Sequence, residues 1–251
     1  MYLNTRGLVI RITKYNDTDA LLTVLTPNHG KLTLKARGLY RKNSPLTAPC
    51  QLLAFSEFTL FEYRDQYTIN EAKTVELFRG LRRDLSKLSL GTYFAQVANV
   101  LSQEDLPNPE LLSLVLNCLY ALDKLDLSEM LIKAVFELRA ACISGYAPEL
   151  SGCIKCGEIL PDRLNLAEGH LECSRCRAPG DTGLRMPLSP GALDALRYVC
   201  SCESAKMFSF KVGQGTEQEL SYISEAYLAT QLEQGFSTLD FYKSLQIQDQ
   251  Q

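Results

Sequence analysis

The sequence lacks the usual features of membrane proteins, of secreted proteins and of several common enzymes. No apolar run approaches the roughly 20 residues that a membrane-spanning helix needs. Residues 1–6 show no basic start leading into an apolar stretch, so we expect no secretion signal. The chain has no glycine-rich phosphate loop followed by Lys-Ser or Lys-Thr, no Gly-x-Ser-x-Gly elbow and only two histidines. These absences predict that the protein is not an enzyme and does not contact a membrane.

Cysteine is abundant and follows a spacing typical of metal sites. Nine cysteines, an odd number, fit poorly with a complete set of disulfides, which favours a reducing, cytosolic compartment. Four of them form two Cys-x-x-Cys pairs, the arrangement of a tetrahedral structural zinc site. The predicted ligands of one structural Zn²⁺ per chain are Cys153, Cys156, Cys173 and Cys176. His170 could replace one thiolate, and the alternative to a metal site is four buried thiols or a disulfide pair.

The net charge of −3 argues against a nucleic-acid-binding protein, but the charge is unevenly distributed. Residues 1–80 carry eleven Lys and Arg against seven Asp and Glu, a balance of +4, and the rest of the chain therefore carries −7. No acid lies between Asp19 and Glu57, and five cations cluster in that interval: Lys31, Lys35, Arg37, Arg41 and Lys42. This local basic surface favours contact with an anion. The alternative is a set of lysines that guards an edge strand against aggregation.

The first 77 residues are rich in β-branched and apolar residues separated by turn residues, a pattern typical of strands. In the third run, Leu32, Leu34 and Ala36 alternate with Lys31, Thr33, Lys35 and Arg37, which predicts one buried face and one cationic face. The predicted strands are residues 4–15, 20–26, 31–37, 51–63 and 66–77. Five short strands in this length predict a small barrel of the OB type, with an SH3-like barrel as the alternative.

Helical periodicity replaces the strand pattern from residue 78 onward. It predicts helices over residues 78–101, from Asn108-Pro109 to about residue 119, from Ser128 to Gly145, and from Ser189-Pro190 to Tyr198. Thr216 and Glu219 predict a capping box for a last long helix that ends near Gln234. The cysteine segment has no helical period and interrupts these helices, while residues 246–251 are polar and predicted to fray.

Several short motifs, taken in order, resemble the bacterial RecO family of DNA repair proteins. The first is Gly-Leu-Val-Ile-Arg at residues 7–11, followed by Tyr-Asn-Asp-Thr-Asp-Ala-Leu-Leu at 15–22 and Thr-Pro-Asn-His-Gly-Lys at 26–31. The most specific is Gly-Tyr-Ala-Pro-Glu-Leu at 145–150, which runs directly into the first cysteine pair. A closing motif, Phe-Ser-Thr-Leu-Asp-Phe, occupies residues 236–241. The resemblance covers nearly the whole chain.

The resemblance implies an α+β multidomain protein. Its parts would be an OB-fold nucleic-acid-binding domain (1–77), a helical-bundle domain in two parts (78–149 and 187–251) and a zinc module inserted between them (150–186). It implies a cytoplasmic, nucleoid-associated recombination mediator that binds single- and double-stranded DNA and anneals complementary strands. The implied partners are RecR, the C-terminal tail of single-strand-binding protein and, indirectly, RecA. Arg11, in the first motif, joins the five clustered cations as a predicted DNA contact.

Two further interpretations of the residues remain open. The acidic tail of single-strand-binding protein ends in apolar residues, so its receptor needs an apolar pocket rimmed by cations, and Lys133 and Arg139 lie beside the apolar stripe of their predicted helix. The alternative is that these two cations lie on a solvated helix face. For the whole chain, the alternatives to a DNA mediator are an RNA-binding OB-fold protein with a structural zinc finger and an adaptor that binds no DNA.

Overall fold

The first five strands close into a barrel whose interior is filled by alternate residues of each strand. In the computed structural model, which describes residues 1–176 and 183–248, these strands are β1 (Tyr2–Lys14), β2 (Ala20–Leu25), β3 (Lys31–Ala36), β4 (Phe55–Tyr63) and β5 (Gln66–Glu76). Their order around the barrel is β1-β2-β3-β5-β4, and β1 pairs with β4 to close it. Apolar side chains such as Leu22, Leu34, Phe58 and Leu60 fill the interior. The predicted five-stranded OB-like barrel is confirmed.

The predicted strand limits hold to within a few residues, except at the start of β4. The sequence predicts that this strand begins at residue 51, whereas it begins at Phe55. Leu53 has a φ of 62°, a left-handed conformation that ends strand geometry. Its backbone N–H donates to Val9 O at 2.8 Å, and Val9 N–H donates to Ala54 O at 3.0 Å, so this turn pairs with β1.

In the described part of the chain, the remaining elements are six α-helices, three short 3₁₀ helices and a small second sheet. The helices are α1 (Leu85–Leu101), α2 (Pro109–Lys124), α3 (Glu129–Ile143), α4 (Pro190–Ser201), α5 (Gln214–Leu232) and α6 (Ser237–Gln248). The second sheet consists of β6 (Glu149–Cys153), β7 (Arg163–Asn165), β8 (His170–Glu172) and β9 (Arg185–Pro187), in the order β6-β8-β7-β9. No helix in the described part of the chain is both long and apolar enough to cross a membrane.

Helix starts follow the predicted signals at three positions and depart from them at a fourth. The side chains of Asn108, Ser128 and Ser189 accept backbone hydrogen bonds at the starts of α2, α3 and α4, where the sequence predicts that helices begin. The predicted capping box at Thr216 and Glu219 is wrong, because α5 begins at Gln214 without a side-chain cap. Glu219 instead accepts hydrogen bonds from the N–H and the hydroxyl of Ser189, both at 2.6 Å, at the start of α4.

Helix α6 was not predicted, although a signal for it exists in the sequence. Phe236, Leu239 and Tyr242 recur at intervals of three and are all buried. The ring of Phe236 contacts that of Tyr93 on α1, with centroids 5.5 Å apart. Because this segment is short and mostly polar, its sequence pattern is a weak signal for a helix. The helix depends on its contacts with α1.

The chain divides into two compact units. One comprises Met1–Asp126 and Phe236–Gln251, with the barrel, α1, α2 and α6, and the other comprises Leu127–Gly235, with α3, α4, α5 and the second sheet. The four-part domain division inferred from the sequence stays a prediction, because compactness does not show where independently folding domains begin.

Candidate nucleic-acid interface and candidate metal centre

Strand β3 carries the predicted cationic face on the outside of the barrel. Leu32, Leu34 and Ala36 are buried in the barrel core, whereas Thr33 is exposed and Lys31 and Lys35 are half-buried on the opposite face. The pleat of the strand therefore separates apolar from cationic residues as the alternation predicts. The cations are in different surroundings, and those surroundings decide which of them can contact a ligand.

Lys31 donates a hydrogen bond to a backbone carbonyl of its own unit. Its Nζ donates to the carbonyl oxygen of Asn99, in the last turn of α1, at 2.9 Å. A lysine at a helix C-terminus is favoured there, because the last carbonyls of a helix are unpaired and partly negative. Lys31 is thereby explained as a structural contact, and its predicted role in DNA binding stays a prediction.

Lys35 lies over an aromatic ring. Its Nζ is 4.6 Å from the ring centroid of Tyr15, an exposed residue in the turn between β1 and β2. This distance is within the range of a cation–π contact. The sequence pattern predicts no aromatic on the cationic face, because Tyr15 lies 20 positions earlier in the chain. The pairing of β1 with β2 and of β2 with β3 brings the two residues together.

The basic loop after β3 is held against the β1–β2 turn by Asp19. Its Oδ1 accepts the backbone N–H of Gly38 at 2.8 Å, and this hydrogen bond is the main cause that lowers the pKa of the Asp19 carboxyl. Gly38 has a φ of 68°, a left-handed conformation that glycine adopts without strain. Tyr40 N–H donates to Thr18 O at 3.0 Å. These contacts fix the backbone of the loop.

The loop exposes its cationic side chains. Arg37, Arg41 and Lys42 are all exposed, next to Lys35 along the chain. Asp19 is the acid that holds the loop, and the sequence gives no sign of this role. An Asp followed 19 residues later by a glycine is not a recognisable motif, so only the fold shows the contact.

Arg11 lies on β1, two strands away from β3. It pairs across the strands with Thr23, which in turn pairs with Thr33, so Arg11 and Thr33 share an outward-facing row. The adjacent row contains Leu21 and Lys35. The exposed side chain of Arg11 also lines a cavity of about 460 Å³ together with Gln96 and Asn99 of α1. Arg11, Lys35, Arg37, Arg41 and Lys42 are called the basic surface below.

The second candidate site is the cluster of four cysteines. The sulfur atoms of Cys153, Cys156, Cys173 and Cys176 all lie within 4.8 Å of one another. Strand β6 ends at Cys153 and β8 ends directly before Cys173, so the second sheet brings the two pairs together. The Sγ atoms of Cys156 and Cys173 are 3.5 Å apart, and the backbone N–H of Cys173 lies 3.3 Å from the Sγ of Cys153.

Burial and hydrogen bonds shift the pKa values of two cysteines of the cluster in opposite directions. Burial raises the pKa of Cys153, but hydrogen bonds from the backbone of Cys156 and Lys155 outweigh this effect and bring it to about 6. Burial, followed by the neighbouring thiols, raises the pKa of Cys173 to about 12. Four negative sulfurs at this separation repel one another, and a bound divalent cation would remove that cost.

The donor set fits Zn²⁺ in a closed, structural site. Four thiolates complete a tetrahedral coordination shell and leave no position open for water. Among the described residues, the four cysteines form the only cluster with metal-ligand geometry. Zinc would supply a cross-link between β6 and the end of β8. The Nζ of Lys155 donates to Cys176 O at 3.0 Å, which places one cation beside the cluster, while Arg177 lies outside the described residues.

His170 is engaged away from the cysteines. Its Nε2 lies 2.9 Å from Oε1 of Glu172, a buried carboxylate that also accepts from Arg185 Nε at 2.7 Å and from Asn165 Nδ2 at 3.3 Å. The hydrogen bond from Arg185 is the main cause that lowers the pKa of Glu172 to about 2. This network joins β7, β8 and β9. It explains His170 as a sheet contact and leaves the four thiolates as the ligand set.

The two predicted tail-binding cations lie in the second unit. Lys133 is only 3% exposed, and its Nζ contacts Glu137 at 3.1 Å and Glu225 at 2.9 Å. Arg139 is half-buried, and its Nη1 donates to Cys202 O at 2.9 Å. Both cations are bonded to acceptors of their own unit, so this geometry gives the predicted partner contact no support, and it stays a prediction.

Comparison with known proteins gives matches along nearly the whole chain. Residues 1–78 match the family model described as "Recombination protein O N terminal", and residues 82–240 match "Recombination protein O C terminal". Curated relatives named "DNA repair protein RecO" include one from Acetivibrio thermocellus, 38% identical over 97% of both chains. Another, from Rubrobacter xylanophilus, is 32% identical over 89% of this chain and 90% of the relative. A third, from Alkaliphilus metalliredigens, is 28% identical over 98% and 100% of the two chains.

Proposed function

The chain belongs to the RecO family of DNA repair and recombination proteins, and from this premise we propose that it acts without enzymatic activity as a recombination mediator. It binds single- and double-stranded DNA, anneals complementary strands and helps to load a recombinase onto DNA covered by single-strand-binding protein. Its site of action is the cytoplasm, at the nucleoid.

The observation that carries the proposal is the basic surface. Four exposed cations and the half-buried Lys35 lie on β1, on β3 and in the loop after β3, in a protein whose net charge is −3. Because the rest of the chain repels DNA, a phosphate backbone is attracted to this part of the barrel and disfavoured elsewhere. The fixed backbone of the basic loop favours binding, because the loop loses less conformational entropy when it binds DNA.

The cysteine cluster supports a scaffold role within this proposal. We assign one structural Zn²⁺ per chain to Cys153, Cys156, Cys173 and Cys176. A site with four thiolates has no open position for a substrate, so the metal contributes to folding and not to chemistry.

The proposed partners are RecR, the C-terminal tail of single-strand-binding protein and, indirectly, RecA. These names come from the family resemblance. The tail contact at Lys133 and Arg139 is the least supported part of the proposal, because both side chains already have acceptors within their own unit. Charge reversal at both positions that left the affinity for a tail peptide unchanged would remove it.

A strand-annealing assay with the double variant Lys35→Glu and Arg37→Glu tests the proposal. We expect DNA binding and annealing to be lost while the melting temperature stays close to that of the wild type, since both side chains lie on the outside of the barrel, where substitutions cost little stability. The matched control is Lys206→Glu with Lys211→Glu, which changes the net charge equally at two exposed positions of the second unit. We expect the control to anneal normally.

Two results would favour the other candidate functions. Tighter binding to structured RNA than to single-stranded DNA at the same salt concentration would favour an RNA-binding protein. Normal annealing by the double variant would contradict the DNA-binding proposal and favour an adaptor.

A further inference from the structure

A cluster of aromatic side chains stands on the outside of the barrel, where no core packing explains it. Tyr2 on β1 is 62% exposed, and Phe61 and Tyr63 on β4 are 43% and 60% exposed. The rings of Tyr2 and Phe61 meet edge to face, with centroids 5.5 Å apart. The guanidinium of Arg64 lies 5.1 Å from the ring centroid of Tyr63. These four residues are called the aromatic patch.

The pleat of β4 explains why the rings point outward. Phe58 and Leu60 are buried in the barrel, so Phe61 and Tyr63, at odd positions relative to Leu60, face the other way. Tyr2 pairs directly with Phe61 across β1 and β4 and therefore shares its face. Arg64 and the next residue both have positive φ, as the tight two-residue β4–β5 turn requires. The fold thus holds three rings and a guanidinium on one outer face.

The strand register connects the aromatic patch to the basic surface. Lys35 on β3 pairs with Thr68 on β5, Thr68 pairs with Phe61 on β4, and Phe61 pairs with Tyr2 on β1. These residues form one outward-facing row across four adjacent strands. Neighbouring strands are about 4.8 Å apart, so Lys35 and Phe61 are separated by roughly 10 Å along the surface. A single nucleic-acid strand is long enough to contact both.

The charges around the patch favour bases over phosphates. Asp65 follows Arg64 in the β4–β5 turn and is exposed. Carboxylates repel a phosphate backbone but not the uncharged face of a base. Aromatic rings and arginine planes are the groups on which unpaired bases stack, and a duplex keeps its bases stacked on one another.

From these observations we propose that the aromatic patch of Tyr2, Phe61, Tyr63 and Arg64 stacks the bases of single-stranded DNA, while the basic surface holds the phosphates of the same strand. This inference rests on the proposed function and adds to it a site that distinguishes single strands from duplexes. The patch thereby gives the protein a preference for the single strands on which a mediator must act.

Replacement of two rings by leucine tests the inference without removing apolar bulk. In the variant Phe61→Leu with Tyr63→Leu, we expect affinity for a single-stranded oligonucleotide to fall at least about fivefold and affinity for duplex DNA to change less than about twofold. The salt dependence of binding should stay unchanged, because no phosphate contact is lost. The matched control is Tyr120→Leu, which removes an exposed ring from α2 and should leave both affinities unchanged.

A fluorescence measurement provides a second test that does not depend on weakened binding. The chain contains no tryptophan, so Tyr63→Trp introduces a single reporter. We expect its emission to be quenched by single-stranded DNA and not by duplex DNA, and the emission of Tyr120→Trp to respond to neither.

The outcomes separate this inference from the proposed function. Wild-type protein that binds no DNA would overturn both. Wild-type binding with unchanged affinity in the leucine variant and no quenching in Tyr63→Trp would overturn only the stacking, and would leave the patch to a protein partner. Equal losses for single strands and duplexes would also overturn it, because the patch would then hold backbone and not bases.

Discussion

At the scale of single residues, burial decides whether a lysine can bind a partner or is used within the fold. Lys133 is buried between α3 and α5, where its ammonium contacts Glu137 and Glu225. Glu137 also accepts from the hydroxyl of Ser224 at 2.7 Å. A buried charge is tolerated only when partners of opposite charge and hydrogen bonds replace the lost water. Lys133 is therefore a structural cation that neutralises two acids.

Removal of the Lys133 ammonium should destabilise the second unit strongly. For Lys133→Met we expect the free energy of unfolding to fall by about 3–5 kcal/mol, because the buried carboxylate of Glu137 loses the ammonium of Lys133. Lys206→Ala is the control, since the exposed pair of Lys206 with Glu203 is expected to contribute less than about 1 kcal/mol. Denaturant unfolding measures both changes. An equal, small effect of the two substitutions would contradict the structural role of Lys133.

The sequence predicts the helix or strand to which these residues belong, but it does not predict which residues they contact. Helical periodicity predicts Lys133 at the edge of an apolar stripe, yet every residue from Leu131 to Leu138 is buried. The acceptor on α5 lies 92 positions away in the chain, at Glu225. Tyr15 and Asp19 were missed as neighbours of the basic surface for the same reason. Their roles come from strand pairing, which no local pattern encodes.

At the scale of elements, local patterns predict best where they agree with tertiary packing. The alternation of β3 survives in the structure because one face is core and the other is surface. The prediction of a capping box at the start of α5 is wrong because the carboxylate of Glu219 accepts a hydrogen bond from the backbone N–H of Ser189, at the start of α4. A carboxylate is favoured at the N-terminus of either helix, so the sequence alone cannot choose between them.

The second sheet should depend on the proposed Zn²⁺. Strands β7, β8 and β9 have three residues each, and sheets this small are rarely stable without a cross-link. We expect Cys173→Ser to lower the zinc content from one per chain to nearly zero. We also expect it to remove the protection of amide hydrogens in the second sheet, because binding of the metal supplies folding free energy. Metal analysis and hydrogen exchange measure the two effects.

A cysteine outside the cluster provides the control for this experiment. Cys202 follows α4, and the cluster does not include it. Cys202→Ser should keep the full zinc content and the same exchange pattern as the wild type. Retention of zinc by Cys173→Ser would instead mean that three cysteines and another ligand suffice, with His170 the nearest histidine in the chain.

At the scale of the whole molecule, the sum of charges and their arrangement give opposite expectations. A net charge of −3 predicts repulsion from DNA, whereas the basic surface predicts a defined contact. The two effects differ in how they respond to salt. Contacts with phosphates release condensed counterions and give a steep, linear dependence of log K on log salt, while repulsion from distant acids is screened beyond about 10 Å at 0.1 M.

The slope of log K against log salt therefore reports the number of cations that contact phosphate. If all five residues of the basic surface engage a single strand, each contributes about −0.7, and the slope should be about −3.5. Lys42→Ala should reduce the steepness by about 0.7, because its exposed side chain is free to reach a phosphate. Lys31→Ala should leave the slope unchanged, since its Nζ is bonded to Asn99 O. A loss of steepness with Lys31→Ala equal to that with Lys42→Ala would show that the bond to α1 opens when DNA binds, and that the contact surface includes all of β3.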